Sequence, residues 1–418
     1  MNIAILSSTA SYHHLAQLLS KESTVYHYGA NSSVLPSTNY VPIHFEMPAT
    51  RSLSESEVFA FLENIKSKNI DFALASGLPI PADNRIHRGL RNLHIPYFFV
   101  NREVIALEYN KFTCKKMLNK LGIPTGVGEQ VNGLYLFENF KSIPRPFVVK
   151  LYPYRYGKQT IIVTDDNHEE VFLDLFSKKL GKESRISNIN DDFGLVVEQF
   201  INIKSELSYH LLVNETGWTY FGSARDYKRL EDGDLGPNSV SMGAYNVSDV
   251  DPRIHDYADR IVNFLKEQGY YYKGFMFLGI AIDETDTPII LEINTRSGDP
   301  ELPAILGSIT NNLSELFLAA STNMPFPAVA HNNNKTVTVR LTNSIYDWTV
   351  PGIDLPMLDE VPDNIVHGIE GTPEFFIKHS LFTASGNTHE AASEQIYNYL
   401  NSQYVGQYRY RKDIGLLK

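Results

Sequence analysis

The stretch Pro288–Glu301, PIILEINTRSGDPE, decides how the rest of the chain is read. Ile289 to Ile293 is a short apolar strand with one acid, Glu292, set into it. Side chains alternate across a strand, so Asn294, two places on, shares the face of Glu292. A carboxylate and a carboxamide on one face offer oxygen ligands that suit a hard cation such as Mg2+ holding phosphates. Arg296 follows, and then the turn Ser297-Gly298-Asp299-Pro300-Glu301. A metal-binding pair beside a guanidinium marks a place where phosphate and carboxylate can meet.

Just upstream, Phe275 to Ile282 is a strand that pairs with Ile289 to Ile293 through the turn Asp283 to Thr287. Pro252 to Gln268 is helical by its apolar spacing. Arg225 to Tyr245, RDYKRLEDGDLGPNSVSMGAY, is rich in Gly, Asp and Asn and reads as a long loop, a class that is usually functional. Ser205 to Val213 and Trp218 to Ala224 read as antiparallel neighbours. Leu195 to Ile201 is an apolar strand with a polar and aromatic end. Pro146 to Lys150 and Thr160 to Thr164 are strands flanking the loop Leu151 to Gln159, which reads as a flap over phosphate. Tyr109 to Leu121 is a helix stopped by Gly122.

The first hundred or so residues alternate strand and helix. Asn2 to Leu6, Val25 to Tyr28 and Asp71 to Ala75 are strands, and Tyr12 to Ser20 and Val58 to Lys66 are helices. This predicts a doubly wound parallel-sheet domain with ligand loops at Ser7-Ser8-Thr9 and Ser76-Gly77-Leu78-Pro79. There is no GxGxxG, so no dinucleotide site is claimed. From Thr336 short strands return at Thr336 to Leu341, Glu374 to Ile377 and Phe382 to Ala384. A helix follows at His389 to Leu400. That pattern predicts a small C-terminal α+β domain after a linker or turn at His331 to Asn334. The expected division is 1–105, 106–330 with a flap subdomain at about 125–200, and 331–418.

Composition narrows the class. At 418 residues the chain is too long for one small core. It is 43% hydrophobic and 20% charged, ordinary values for a globular protein. A net charge of −11 argues against general nucleic-acid binding. The single cysteine, Cys114, excludes an internal disulfide and fits a reducing, cytoplasmic setting. It reads as a core residue. The opening MNIAILSS shows no signal-peptide pattern, and no apolar run is long enough to span a membrane.

Taken together, these residues resemble glycinamide ribonucleotide synthetases (phosphoribosylamine–glycine ligases) of the ATP-grasp superfamily. The likeness rests on Asp226-Tyr227-Lys228-Arg229, Asp232 to Asn238, Met242-Gly243-Ala244-Tyr245, Leu291 to Arg296, Gly298 to Glu301 and Tyr410 to Gly415. It implies a central ATP-grasp fold with antiparallel sheets. It also implies an ADP-forming carbon–nitrogen ligase that uses ATP and Mg2+, with Mn2+ as an alternative, to convert a carboxylate to an acyl phosphate for attack by an amine. The partners are then a small carboxylate, an amino acid such as glycine, and a small amine. The chain would be a monomer or homodimer.

The resemblance assigns Lys111, Lys150, Gly157 and Lys158 to ATP phosphates and the adenine side. It assigns the backbone of Glu198, Gln199, Phe200 and Ile201 to the adenine edge, Glu206 to the ribose, and Glu292 and Asn294 to the metal. Arg296 would orient the acyl phosphate, with Lys228, Asp299 and Asp234 as further catalytic candidates. Asp226, Arg229, Pro237, Asn238, Met242, Gly243, Gly298 and Glu301 fall on the substrate side, with Ser8, His13, Ser76 and Gly77 in the N-terminal loops.

Two regions depart from the family. The flap carries Tyr152, Pro153, Tyr154, Arg155, Tyr156 and Gln159 where the family has small residues that let backbone amides approach phosphate. The N-terminal loop Ser7 to His13 lacks the family's glycines, keeping only the His13 position, and Val240 and Ser241 replace two more. ATP and metal positions are kept while amine-side positions change. That suggests the same reaction with a different amine. The alternatives are the purine-pathway ligase itself and a catalytically silent nucleotide-binding protein.

Overall fold

The computed structural model describes residues 1–30, 37–43, 45, 53–76, 83–150, 160–179, 195–343, 361–370, 379–403 and 408–416. The N-terminal sheet has five parallel strands, ordered Tyr40–Ile43, Thr24–Tyr28, Asn2–Leu6, Phe72–Ala75, Tyr97–Phe98. Ile3 and Ile5 face one core with Leu15 and Leu19 of the helix Ala10–Leu19. Ala4 and Leu6 face another with Phe61 and Ile65 of Glu55–Lys66 and Leu90 of Asn84–Asn92. Burial on both faces is why Asn2–Leu6 reads as an unbroken apolar run. Thr9 accepts a hydrogen bond from the Tyr12 amide and starts the first helix at the strand's carboxyl end.

The large sheet has nine strands. Its order is Pro288–Asn294, Gly274–Asp283, Ile203–Asn214, Gly217–Asp226, Gly243–Val247, Lys335–Asn343, Ser380–Gly386, Ile365–Ile369, with Tyr408–Arg409 pairing on Lys335–Asn343. One face packs on the helices Arg102–Tyr109, Lys111–Lys120 and Pro252–Glu267. The other packs on Glu301–Leu306 and Leu313–Ser321. The C-terminal strands therefore extend the central sheet across the expected boundary at 330. Gly243, Ala244 and Tyr245 pair with Val339, Thr338 and Val337. A Cβ on Gly243 would stand 2.6 Å from the Thr338 carbonyl oxygen, so this junction requires glycine.

A four-stranded antiparallel sheet, ordered Gly128–Val131, Leu195–Gln199, Phe147–Lys150, Thr160–Val163, forms the flap subdomain around Phe140 and Phe147. The flap loop 151–159 and the expected strand Glu374 to Ile377 lie outside the described residues.

Two sequence expectations are corrected. The helix expected at Tyr109 to Leu121 is two helices, because Asn110 leaves helical geometry (φ −97, ψ 82) and its side chain caps the second one. The long loop expected at Arg225 to Tyr245 contains a hairpin, Arg229–Glu231 with Leu235–Asn238, and then the strand Gly243–Val247. Its Gly- and Asp-rich turn hid the pairing. Gly233 and Asp234 both take positive φ there. No helix among the described residues is long and apolar enough to cross a membrane. Cys114 is buried, and burial pushes its thiol up to about 11, so it is inert core.

Candidate active site

Glu292 stands opposite Gly279, where the strand register shifts, and a Cβ on Gly279 would come 3.0 Å from its Cγ. Lys111, at the start of its helix, places Nζ 2.7 Å from Glu292 Oε2. Asn294 donates its amide N–H to Oε1 at 3.0 Å, which places both side chains on the face the alternation predicts. The Lys111 ammonium holds the Glu292 carboxyl far below the usual range, so it stays ionised. With its nitrogen committed to Glu292, Asn294 has its carboxamide oxygen left as a ligand atom. Among the described residues no group of three or more His, Cys, Asp or Glu gathers as a metal site. Two oxygen donors from one strand suit a hard cation completed by phosphate and water, and do not suit a soft metal.

Arg296 is fixed from behind. Glu108 accepts from its Nε at 2.9 Å and also from the Thr295 amide at 3.0 Å and hydroxyl at 3.1 Å. Gly298 donates its amide N–H to Nε2 of His210 at 3.0 Å. Burial lowers the His210 pKa to about 3, so the ring is neutral and Nε2 is free to accept. A Cβ on Gly298 would lie 2.6 Å from the carboxyl carbon of Glu301. Glycine is required there to let that carboxyl approach.

Glu301 is only 5% exposed, and burial, with Asp226 adding to it, pushes its pKa up to about 7. Lys228 pairs with Asp226 at 2.7 Å. Burial works against the Lys228 charge, but Asp226, Glu301 and Glu206 outweigh it. Glu206 is raised by burial, with Lys228 opposing. The structure thus brings Glu292, Lys111, Lys228, Asp226, Glu206, Glu301 and Arg296 into one electrostatic group.

Lys150 lies 3.0 Å from Glu198 Oε2 and 3.4 Å from the Leu291 carbonyl oxygen. The Glu198 side chain turns into the body, leaving Gln199 and Phe200 exposed and Ile201 half-buried. Lys115, which the sequence reading missed, lies 3.0 Å from Glu198 Oε1. Its signal was its place one helical turn after Lys111, on the same helix face.

On the opposite side, Asp299 Oδ1 accepts from Ser11 Oγ at 2.6 Å and from Arg340 Nη2 at 3.1 Å. Arg340 is 1% exposed, donates from Nε to the Ser241 carbonyl and stands 3.8 Å from Glu370. Burial pushes the Glu370 carboxyl up to about 8, with Asp299 adding to the rise and Arg340 opposing it. Ser11, Arg340 and Glu370 were not anticipated. Tyr12 reaches back from the same helix to the Ala75 carbonyl, with Arg296 and Ser297 close by.

Several expected residues stand elsewhere. The Asp234 carboxylate is held by Arg411 at 2.8 Å on the exposed hairpin and is not brought into the group. Arg229 donates to the Gly236 carbonyl, Pro237 is exposed and Asn238 is half-buried in the same hairpin. Met242 is fully buried in the C-terminal core, and Gly243 is a packing glycine. His13 is a buried neutral histidine whose Nδ1 accepts from the Ile369 amide, tying the first helix to the C-terminal strand. Ser8 is half-buried and Ser76 buried at the sheet's carboxyl edge. Gly77, Gly157 and Lys158 lie outside the described residues, as do Leu78, Tyr152 and Gln159.

An antiparallel flap sheet ending in Lys150, set beside a large sheet that carries Glu292 and Asn294 with Lys111 on the adjoining helix, defines an ATP-grasp fold. The comparisons agree. Residues 109–302 match the family model "Phosphoribosylglycinamide synthetase, ATP-grasp (A) domain". The segment 109–302 is thus an ATP-grasp domain of that type, and the full chain shares the fold of such ligases. It is 33% identical to the phosphoribosylamine–glycine ligase of Thermotoga maritima over 225 residues, 52% of this chain and 54% of that protein. The chain thus matches about half the length of that relative. A crystal structure of the Thermotoga maritima phosphoribosylamine–glycine ligase superposes with a TM-score of 0.74 at 23% identity, covering 99% of this chain and 100% of that one. The biotin carboxylase domain of Hydrogenobacter thermophilus 2-oxoglutarate carboxylase, solved with MgADP and bicarbonate, superposes at 0.64 and 12% identity, covering 98% of this chain and 91% of that one.

Proposed function

We propose that this chain is an ATP-dependent carboxylate–amine ligase. The observation that carries the reading is the Lys111–Glu292–Asn294 cluster with Arg296 two residues on, braced by Glu108. A carboxylate has no good leaving group, and phosphorylation supplies one. Glu292 and Asn294 would hold Mg2+, which would neutralise charge on the transferring phosphoryl group. Lys111, Lys150 and Lys228 add positive charge beside it. Arg296, already fixed by Glu108, orients the acyl group and stabilises the oxyanion as the amine attacks. Glu301 is buried with a pKa of about 7, so it can take the proton that the amine loses.

Two acceptor assignments compete. The departures at Ser7 to His13 and at Val240 and Ser241 support an amine other than phosphoribosylamine. The superposition over 99% of the chain supports the substrates named for the Thermotoga maritima enzyme, phosphoribosylamine and glycine. The test is to incubate the protein with ATP, Mg2+ and glycine, with and without phosphoribosylamine, and to follow ADP and product mass. Glycinamide ribonucleotide at a useful rate ends the changed-amine reading. ADP release only with other amines supports it. No ADP with a broad panel of amino acids and amines ends the ligase reading itself.

A further inference from the structure

At the root of the flap, the Glu198 carboxylate lies between two lysines that reach it from different parts of the fold. Lys115 comes from the helix Lys111–Lys120 of the body, and its Nζ is 3.0 Å from Oε1. Lys150 ends the flap strand Phe147–Lys150, and its Nζ is 3.0 Å from Oε2. The side chains of Lys115, Glu198 and Lys150 are 5%, 4% and 11% exposed, so this is an interior cluster. Lys115 also donates to the Gly126 carbonyl at 2.8 Å, in the segment where the chain passes from body to flap.

The space around the carboxylate is closed. A Cβ on Gly126 would come 2.8 Å from Glu198 Oε2 and 3.2 Å from Lys115 Nζ, and one on Gly128 would come 2.6 Å from Glu198 Cγ. Glycine at both positions leaves room for the carboxylate between the lysines.

The charges do not cancel. Two ammoniums and one carboxylate leave one positive charge, and Lys150, also 3.4 Å from the Leu291 carbonyl beside Glu292, is the member next to the proposed metal and phosphate site. Without Lys115, both Glu198 oxygens would face Lys150 alone, and the pair would be neutral. We propose that Lys115 is a positioning residue. By pairing with Oε1 of Glu198 it shares the carboxylate's charge, so that the Lys150 ammonium is not fully neutralised and stays available to the nucleotide phosphates, and it ties the flap to the body. The inference rests on the ligase reading only for the identity of the anion.

The test is nucleotide affinity, read by calorimetry with ATP on the full chain, beside steady-state turnover. Lys115→Met is expected to weaken ATP binding and raise its KM about tenfold, with kcat within about threefold, because only the binding of the anion is touched. Lys115→Arg is expected to restore most of the loss. The double variant Lys115→Met with Glu198→Gln is the decisive arm. It removes both partners of the pair and leaves Lys150 unclaimed, so it should bind ATP better than Lys115→Met alone. If Lys115→Met proves unstable in urea, the double variant, which buries no unpaired charge at 115 or 198, still carries the test. Wild-type affinity in Lys115→Met, or a double variant weaker than the single, overturns the proposal. ATP binding with no ligation of any amine would instead overturn the ligase reading and leave this one standing.

Discussion

On the side of the site that faces the metal pair, Glu292 sits against Lys111 and stays ionised far below the usual carboxylate range. On the side around Asp299, which adds to the rise at both, the buried Glu301 and the half-buried Glu370 are pushed up to about 7 and about 8. The first side is built for a constant charge and the second for exchanging protons. The difference follows from what surrounds each acid. Glu292 has a cation as its strongest influence, whereas burial dominates at Glu301 and Glu370. A step that transfers phosphate needs fixed charge, and a step in which an amine loses a proton needs a group that titrates near neutrality.

The sharpest way to break this contrast is Glu292→Gln. It is expected to lower kcat for ADP release by about a thousandfold, the size of effect seen when a preorganised electrostatic group is removed. The melting temperature should fall as well, because the Lys111 ammonium loses its carboxylate partner, so turnover is read well below it. Turnover near the wild-type rate would sink the metal-side assignment.

Next in size is Arg340→Met. It would leave the half-buried carboxylates of Asp299 and Glu370 without that guanidinium, a change that costs about 1–3 kcal/mol. Urea unfolding reads it, and a loss within experimental error would mean that the interior pair carries no weight.

A third test uses pH. Glu292 has a depressed pKa in the folded chain, so its contribution to stability is present above the unfolded value, about 4.3, and fades as pH falls through the folded value. Glu370 runs the other way. Its folded pKa is raised, so its contribution is present below about 4.3 and is lost as pH rises toward about 8. Thermal melts of wild type and Glu370→Gln across that window should converge at acid pH, and the wild type alone should lose stability toward the alkaline end. Parallel curves would remove the contrast between the two sides.

The smallest effect is expected from Asp234→Asn. The partner Arg411 is buried and retains Asp413 at 2.6 Å, and Asp234 is largely exposed. Turnover should stay within about twofold and stability within about 1 kcal/mol. A hundredfold drop in kcat would return Asp234 to the chemistry.

The Glu292–Asn294–Arg296 cluster was legible in sequence because its members are local. Glu292 and Asn294 alternate on one strand, Arg296 follows at once, and the strand carries its own apolar signature. The parallel N-terminal strands were legible because both faces are buried. The Ser11–Asp299–Arg340–Glu370 cluster was not. Ser11 and Asp299 are 288 positions apart, and Arg340 sits in a strand where a lone arginine reads as a solvated residue. Only the sheet pairing of Gly243–Val247 with Lys335–Asn343 carries it inward to Asp299. The hairpin at Arg229 to Asn238 was hidden for the opposite reason. Its residues favour turns locally, and its strands exist because the C-terminal segment anchors it, with Asp413 and Lys412 bonding Gly233 and Asp232.

The unbroken nine-stranded sheet has a consequence for how the chain comes off the ribosome. Among the described residues, all those assigned above to the proposed metal and phosphate site have emerged by Glu301. Until Lys335–Asn343 follows, Gly243–Val247 waits as a bare edge, the kind of surface that recruits strands from other chains. The nascent protein can therefore form that site before Arg340 and Glu370 reach Asp299. A nucleotide captured at that stage would steady the half-built sheet while the last strands are still being made.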